Sequence, residues 1–282
     1  MKRAFWILAV GAVVSAVMAA TIGRAADKPV LSVTRLDCGG FQINDLNAFS
    51  DTNAYTGLTK RLTDSCYLIR HGDAYMLWDT GLPAALKGQP QDSKAVFVPS
   101  LDKTIVEQLA VLGVKPEQIS LIGISHIHGD HTGQAQAFPQ AKLLIGKGDW
   151  DLLGTGSPLA ADSVKALAHW LGGGAYEAVM GDKDIFGDGT VMMLNMPGHT
   201  PGHHSLMVSL EQTGKLLLTG DLAHFHENYA SNGVPGFNTD RADSLASLDR
   251  FKALAKTMKA TVIIQHDPRD IAKLPAFPAA AR

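Results

Sequence analysis

The sequence predicts an α/β chain made of two packed sheets covered by helices, and three observations predict it. Apolar runs of strand length alternate with runs of helical period. Several of the strand-like runs come as hairpin pairs, and they lie on both sides of a central histidine-rich turn. Neither a short repeat nor a low-complexity stretch interrupts the pattern, so a solenoid or propeller is not indicated.

The first residues are set aside before any fold reasoning. Lys2 and Arg3 precede an apolar run from Ala4 to Ala20, and small residues suited to processing follow at Ala25 and Ala26. That layout is expected of a secretory signal peptide over residues 1–26. The run is near the lower limit for a bilayer span, which leaves an uncleaved anchor as the competing option. No cysteine follows the run and no second long apolar stretch exists, so the expectation is a soluble exported protein, periplasmic or secreted, with no stable membrane insertion after processing. Residues 27–282, about 255 in number, suit one catalytic domain with a substantial core.

The elements then follow in order. "PVLSVTRLDCG" reads as a first strand, and "SCYLIRHGDAYMLWDTG" as two strands turned at His71-Gly72-Asp73. The polar and aromatic stretch between them, 45–64, is a loop of the kind that approaches binding sites, although a surface excursion fits equally. Ile105, Leu109 and Leu112 recur at helical spacing, and Gly113 stops that helix before the strand "SLIGIS". "AKLLIG" is another strand, and 148–179 mixes short helices with glycine turns, fitting either a pocket wall or packed filler. "HHSLMVSLEQTGKLLLTGD" supplies further strands, one of them at 215–219, and others fall at 191–196 and 261–264. Before the last, Leu245, Leu248, Phe251, Leu254 and Met258 mark an amphipathic helix, with Asp243 or Thr239 as the expected cap. Two similar halves would meet near residues 180–195.

Composition narrows the partner. A formal net charge of -2 with dispersed Lys and Arg provides no basic stripe for nucleic acid, so a small or neutral molecule is expected. Cys38 and Cys66 are the only cysteines; one bridge and two buried thiols both fit, and neither cysteine lies in a CxxC pair.

The chemistry concentrates in "SHIHGDH", where His126, His128, Asp130 and His131 follow the end of a strand, with Gly129 and Gly133 relieving the backbone. Imidazole and carboxylate suit zinc, with manganese, iron or cobalt also compatible. Four donors in six residues exceed what one tetrahedral ion takes while keeping an open position, and invite a second ion. His199, Asp221 and His266 each follow an apolar run, at the edge where loops converge and a sheet holds ligands rigidly. His203 and His204 are not read as ligands, although His203 can support a ligand loop by hydrogen bonding. His71 and His169 read as ordinary turn and helix residues.

"SHIHGDH", "GHTPGHHS", "TGD" and "IIQHD" resemble the metallo-β-lactamase fold superfamily over nearly all of the mature chain. "CYLI" and "TGDLAHFHENY" look most like its N-acyl homoserine lactone lactonases. The resemblance implies an αβ/βα sandwich, two mixed sheets flanked by helices, with a dinuclear site between them. It implies that His126, His128 and His199 bind a first divalent ion, expected to be Zn2+, and Asp130, His131 and His266 a second, with Asp221 bridging. Asp79 would orient ligand imidazoles. These lactonases commonly place a tyrosine three residues after the bridging aspartate, where this chain has His224. His224 is therefore a candidate donor to the substrate, with His226 and Tyr229 as substitutes.

Two divalent ions lower the pKa of a shared water and polarise an ester carbonyl. The expected function is therefore opening of the lactone ring of N-acyl homoserine lactones by a metal-bridging hydroxide, with Asp130, Asp221 and His224 as catalytic residues. Phe41, Phe49, Phe225 and Phe237 are candidates for an apolar acyl trough, each otherwise simple core. An organophosphate or other ester hydrolase of the same fold is the close rival. An iron-dependent oxidoreductase and a non-enzymatic metal-binding protein are the alternatives of other classes. No GxSxG elbow competes, and the oligomeric state, a homodimer included, is left open.

Overall fold

The computed structural model describes Met1 and residues 29–282; the signal segment expected over 1–26 otherwise lies outside the described residues. Seven strands form the first sheet: β1 (Leu31–Ile43), β2 (Lys60–His71), β3 (Ala74–Trp78), β4 (Phe97–Ser100), β5 (Ile119–Ile124), β6 (Lys142–Gly146) and β7 (Tyr176–Val179), in the order β4-β1-β2-β3-β5-β6-β7. Five form the second: β8 (Lys183–Asp184), β9 (Val191–Asn195), β10 (His204–Leu210), β11 (Gly214–Leu218) and β12 (Thr261–Ile263), in the order β12-β11-β10-β9-β8. Both sheets are mixed. The hairpin β2–β3 is antiparallel, whereas β3, β5, β6 and β7 run parallel because helical segments return the chain between them. The chain leaves the first sheet at Val179 and enters the second at Lys183, where the two halves were expected to meet.

Both faces of each sheet are covered, so strands that alternate in direction are apolar on both sides. In β2, Tyr67 and Ile69 face the second sheet and meet Val191, Met193, Leu206 and Val208 across the interior. The alternate residues, Cys66 and Leu68, face Ile105 and Leu109 of α1 (Ile105–Val111). Likewise Leu206 and Val208 of β10 point inward, while Met207 packs with Leu248 and Phe251 of the long C-terminal helix. Helix, sheet, sheet, helix is thus the layer order, an αβ/βα sandwich.

Along the first sheet, α1 is followed by α2 (Gly129–Thr132), α3 (Lys147–Trp150), α4 (Ala161–Ala166) and α5 (Ala168–Leu171). The helix α1 begins at a Thr104–Glu107 capping box and ends before Gly113, whose φ of +69° is left-handed. On the second sheet, α6 (His226–Ser231) precedes α7 (Arg241–Met258). The cap of α7 is Asp240 rather than Asp243 or Thr239: Asp240 is extended and its carboxylate accepts from the Asp243 N–H, which places Asp243 at the third helical position. Thr239 is engaged elsewhere, donating to Gly198 O.

Cys38 and Cys66 form a disulfide, which resolves the two options left by sequence. The β1–β2 register shifts between Asp37 and Gly39, and the bulged Cys38 is the residue that reaches Cys66. No helix among the described residues is long and apolar enough to cross a membrane.

Candidate metal centre

Parallel pairing of β3 with β5 ends both strands at one edge, and that edge builds the site. Asp79, the first residue after β3, has a φ of +59°, an uncommon conformation for a residue with a side chain. Its backbone N–H donates to Gly123 O at 2.8 Å. Its Oδ1 accepts from the Ser125 N–H at 2.6 Å, and its Oδ2 from His131 Nδ1 at 3.0 Å and Gln265 Nε2 at 2.7 Å. One buried carboxylate therefore aims His131 and ties the loop after β5 to the loop after β12.

Seven side chains singled out in the sequence converge here. One donor atom from each of His126, His128, His199 and Asp221 lies within 4.8 Å of the others, and the same holds for Asp130, His131 and His266. In the first group His126 Nε2, His128 Nδ1 and His199 Nε2 are 2.9–3.1 Å apart. Tetrahedral zinc with nitrogen bonds of about 2.0–2.1 Å has ligand edges of about 3.3 Å, so the donor set fits a cation at its centre. In the second group His131 Nε2 and His266 Nε2 are 3.3 Å apart, with Asp130 Oδ2 at 3.7 and 3.8 Å from them. Asp221 joins the groups. Its Oδ2 lies 3.6 Å from His126 and 3.4 Å from His199, and its Oδ1 lies 3.3 Å from His131 and 2.9 Å from His266.

In two of the imidazoles the other nitrogen is spoken for, which sets the donor atom. His199 Nδ1 donates to Asn238 Oδ1 at 2.9 Å, and His266 Nδ1 donates to Thr63 O at 2.7 Å, so each keeps its Nε2 lone pair for the centre. Burial holds His126, His128 and His199 below the usual histidine range, which keeps their lone pairs free. Burial opposes charge at His131 and His266 too, but Asp221 beside them lifts both, His266 to about 9. Asp221 is itself held well below the carboxylate range: His266 and His131 outweigh its burial. The second group thus attracts positive charge, and a divalent ion there would displace protons.

Sequence reasoning placed His203 correctly beside the site rather than in it: its Nδ1 donates to Met196 O and its Nε2 accepts from the Asp221 N–H at 2.9 Å. His204 bonds only backbone carbonyls, of Gly202 and Gly181. His71 pairs with Asp188 and stacks on Phe186, away from the centre. His224 reaches the site, with Nε2 3.1 Å from Asp221 Oδ2. His226 instead pairs with Asp270, and Tyr229 packs on Phe251.

The polar loop before β2 does approach the site. Phe49 stands edge-on to His224 at 4.8 Å and meets Phe97 and Phe237, and Phe237 flanks His199 at 5.8 Å. Phe225 is instead core, buried with Ile43 and Leu62. Phe41 lies beside His266 at 6.3 Å. The segment 148–179 supplies packing: Ser163 of α4 bonds Ile127 O and Thr132, bracing the ligand turn from behind.

Several residues of the centre escaped the sequence reading. Asp149 accepts from the N–H groups of Ile127 and Gly202 and from Thr200 Oγ1, locking the two ligand loops together. Burial pushes its carboxyl up to about 6 against those three donors. Its signal was available, since it follows the β6 run as the ligands follow theirs. Asn238 and Phe97 carried no comparable signal.

The model of the metallo-beta-lactamase superfamily matches residues 60–266. An N-acyl homoserine lactonase, AttM, of Rhizobium radiobacter is 30% identical over 224 residues, covering 72% of this chain and 81% of that protein. The N-acyl homoserine lactonase of Bacillus thuringiensis is 29% identical over 220 residues, covering 76% and 84%. Among solved structures, an N-acyl homoserine lactone hydrolase with N-hexanoyl-L-homoserine bound at its catalytic metal centre superposes with a TM-score of 0.76 at 25% identity, covering 89% of this chain and 99% of that one.

Proposed function

Since the chain belongs to the metallo-β-lactamase superfamily and is a metal-dependent hydrolase of it, we propose that it opens the lactone ring of N-acyl homoserine lactones. The observation that carries this reading is Asp221, whose two oxygens face two separate donor groups and join them into one dinuclear centre. The relatives AttM of Rhizobium radiobacter and the Bacillus thuringiensis enzyme are lactonases that share most of the chain's length, and a similar solved hydrolase holds the product N-hexanoyl-L-homoserine at its catalytic metal centre.

In this reading His126, His128 and His199 would hold one divalent ion, and Asp130, His131 and His266 the other, with Asp221 between the two groups. Such ions, which we take to be zinc from the nitrogen-rich donor set, would supply an activated water and a Lewis acid for the carbonyl. The chain does the rest. Asp79, Asn238 and Thr63 O fix the imidazoles of His131, His199 and His266 in one tautomer and orientation. The rim of Phe97 and Phe237, 41% and 37% exposed over buried Phe49, is an apolar wall beside His199 and His224 that suits an acyl chain. His224 stands between that wall and Asp221, with Nε2 3.1 Å from Asp221 Oδ2, and in this reading it is the donor to the substrate where the lactonases commonly use a tyrosine. Water adds its oxygen to the carbonyl carbon, the ring C–O bond breaks, and the ring oxygen leaves as a hydroxyl after taking a proton. The basic segment and apolar run at the N-terminus support export of this catalytic unit before it acts.

Purified variants assayed with measured metal content test the reading. His128→Ala and Asp221→Asn are expected to lose metal and lactone hydrolysis together. His224→Phe is expected to keep both ions while turnover falls on the order of 100-fold. The substrate panel holds short and long acyl homoserine lactones, a simple lactone, a phosphotriester and a β-lactam. Undiminished hydrolysis after both ions are removed, or a preference for the phosphotriester, would overturn it.

A further inference from the structure

Asp64 lies on β2 opposite Gly39, just past the bulge that carries Cys38. Its side chain is fully buried, and neither carboxylate oxygen has a hydrogen-bond partner. A buried carboxylate without a partner is costly, by several kcal/mol in typical settings, so such groups are ordinarily paired or serve a metal.

The surroundings of Asp64 point to one place. The preceding residue is docked to a ligand by two bonds: Thr63 O accepts from His266 Nδ1 at 2.7 Å, and the Thr63 N–H donates to His266 O at 3.0 Å. Burial pushes the Asp64 carboxyl well above the usual carboxylate range, and the charged groups that act on it are His266, His131, Asp130 and Asp79. The first three are the second donor group, and the fourth is the carboxylate that aims His131. No lysine or arginine is among them. Its oxygens do not belong to the compact donor set itself.

We propose that Asp64 is a positioning carboxylate for the second ion, retaining it by charge from just outside the Asp130–His131–His266 group. This rests on the dinuclear reading. When His131 and His266 turn their lone pairs to an ion they carry no charge of their own, and the ion becomes the countercharge of Asp64. The cost of the stranded carboxylate is then relieved by binding, so Asp64 steepens the dependence of folding on the second ion.

The test compares parent and Asp64→Asn proteins, each stripped with chelator and titrated with Zn2+ alone, with elemental analysis for stoichiometry and circular dichroism melting of both forms. The parent is expected to take two equivalents. In Asp64→Asn one equivalent binds as in the parent and the other at least about tenfold more weakly, the range seen when groups behind metal ligands are removed. The stripped variant should melt no lower than the stripped parent. Unchanged affinity for both equivalents overturns the proposal, as does a parallel loss of both with a lower melt of the stripped variant, which marks a purely structural residue. A parent that holds fewer than two ions overturns the dinuclear reading along with this one.

Discussion

His203 shows how a single side chain can set the acid limit of this site. Its two nitrogens have opposite duties, donating to Met196 O and accepting from the Asp221 N–H, and only the neutral ring can do both. Burial accordingly lowers its pKa to about 3 from 6.5. For a base whose folded pKa is depressed, the unfolded chain binds the extra proton, so this contribution to stability is present above about 6.5 and lost as pH falls toward 3. His203→Gln offers an amide N–H and C=O in place of the two ring nitrogens and does not titrate. Urea melts of chelated protein across that window should therefore show a shallower loss in the variant than in the parent. Equal slopes would remove His203 from the account. The histidines of the centre were legible one by one in the sequence, because each follows an apolar run. Which nitrogen each one presents was not, since that depends on Asn238, Thr63 and Asp79, residues far away in the chain.

At the scale of elements, the corner where β6 turns into α3 governs how closely the two ligand loops approach. A Cβ on Gly146 would overlap the backbone carbonyl of Gly202, and Asp149, three residues on, holds Gly202, Thr200 and Ile127. Gly146→Ala is expected to destabilise the protein by about 1–3 kcal/mol and to reduce metal content, because the loop bearing His199 must retreat from the loop bearing His126. Thermal melting with elemental analysis checks this; a variant with parental stability and two ions would contradict it. The longer strands and α1 were readable because they follow simple hydrophobic periods, whereas β4, β7 and β8 were not, being only two to four residues long. The cap of α7 was not, because Thr239, Asp240 and Asp243 all have suitable side chains and only backbone conformation selects Asp240.

For the whole molecule, the donors come from both sheets: four follow β5 in the first, while His199, Asp221 and His266 follow β9, β11 and β12 in the second. Ions held by these groups would therefore cross-link the two halves. With free ion at one hundred times its dissociation constant, each position adds about 2.7 kcal/mol. Two positions give about 5 kcal/mol, or roughly 10 to 20 °C in melting temperature for a chain of this size. Calorimetry before and after chelation measures this, and a shift below about 2 °C would mean that ions do not join the sheets.

By itself, the sequence indicated the α/β class, most of the strands though not β4, β7 or β8, and seven candidate donors, because periodicity and the residues that end apolar runs are local properties. Only the tertiary structure decided that Asp221 faces both groups, that Cys38 reaches Cys66 and that Phe97 joins Phe49 and Phe237. Each of those is a meeting of segments distant in the chain. Such meetings are set by sheet order, register and the packing of two covered sheets, which no local pattern of residues encodes.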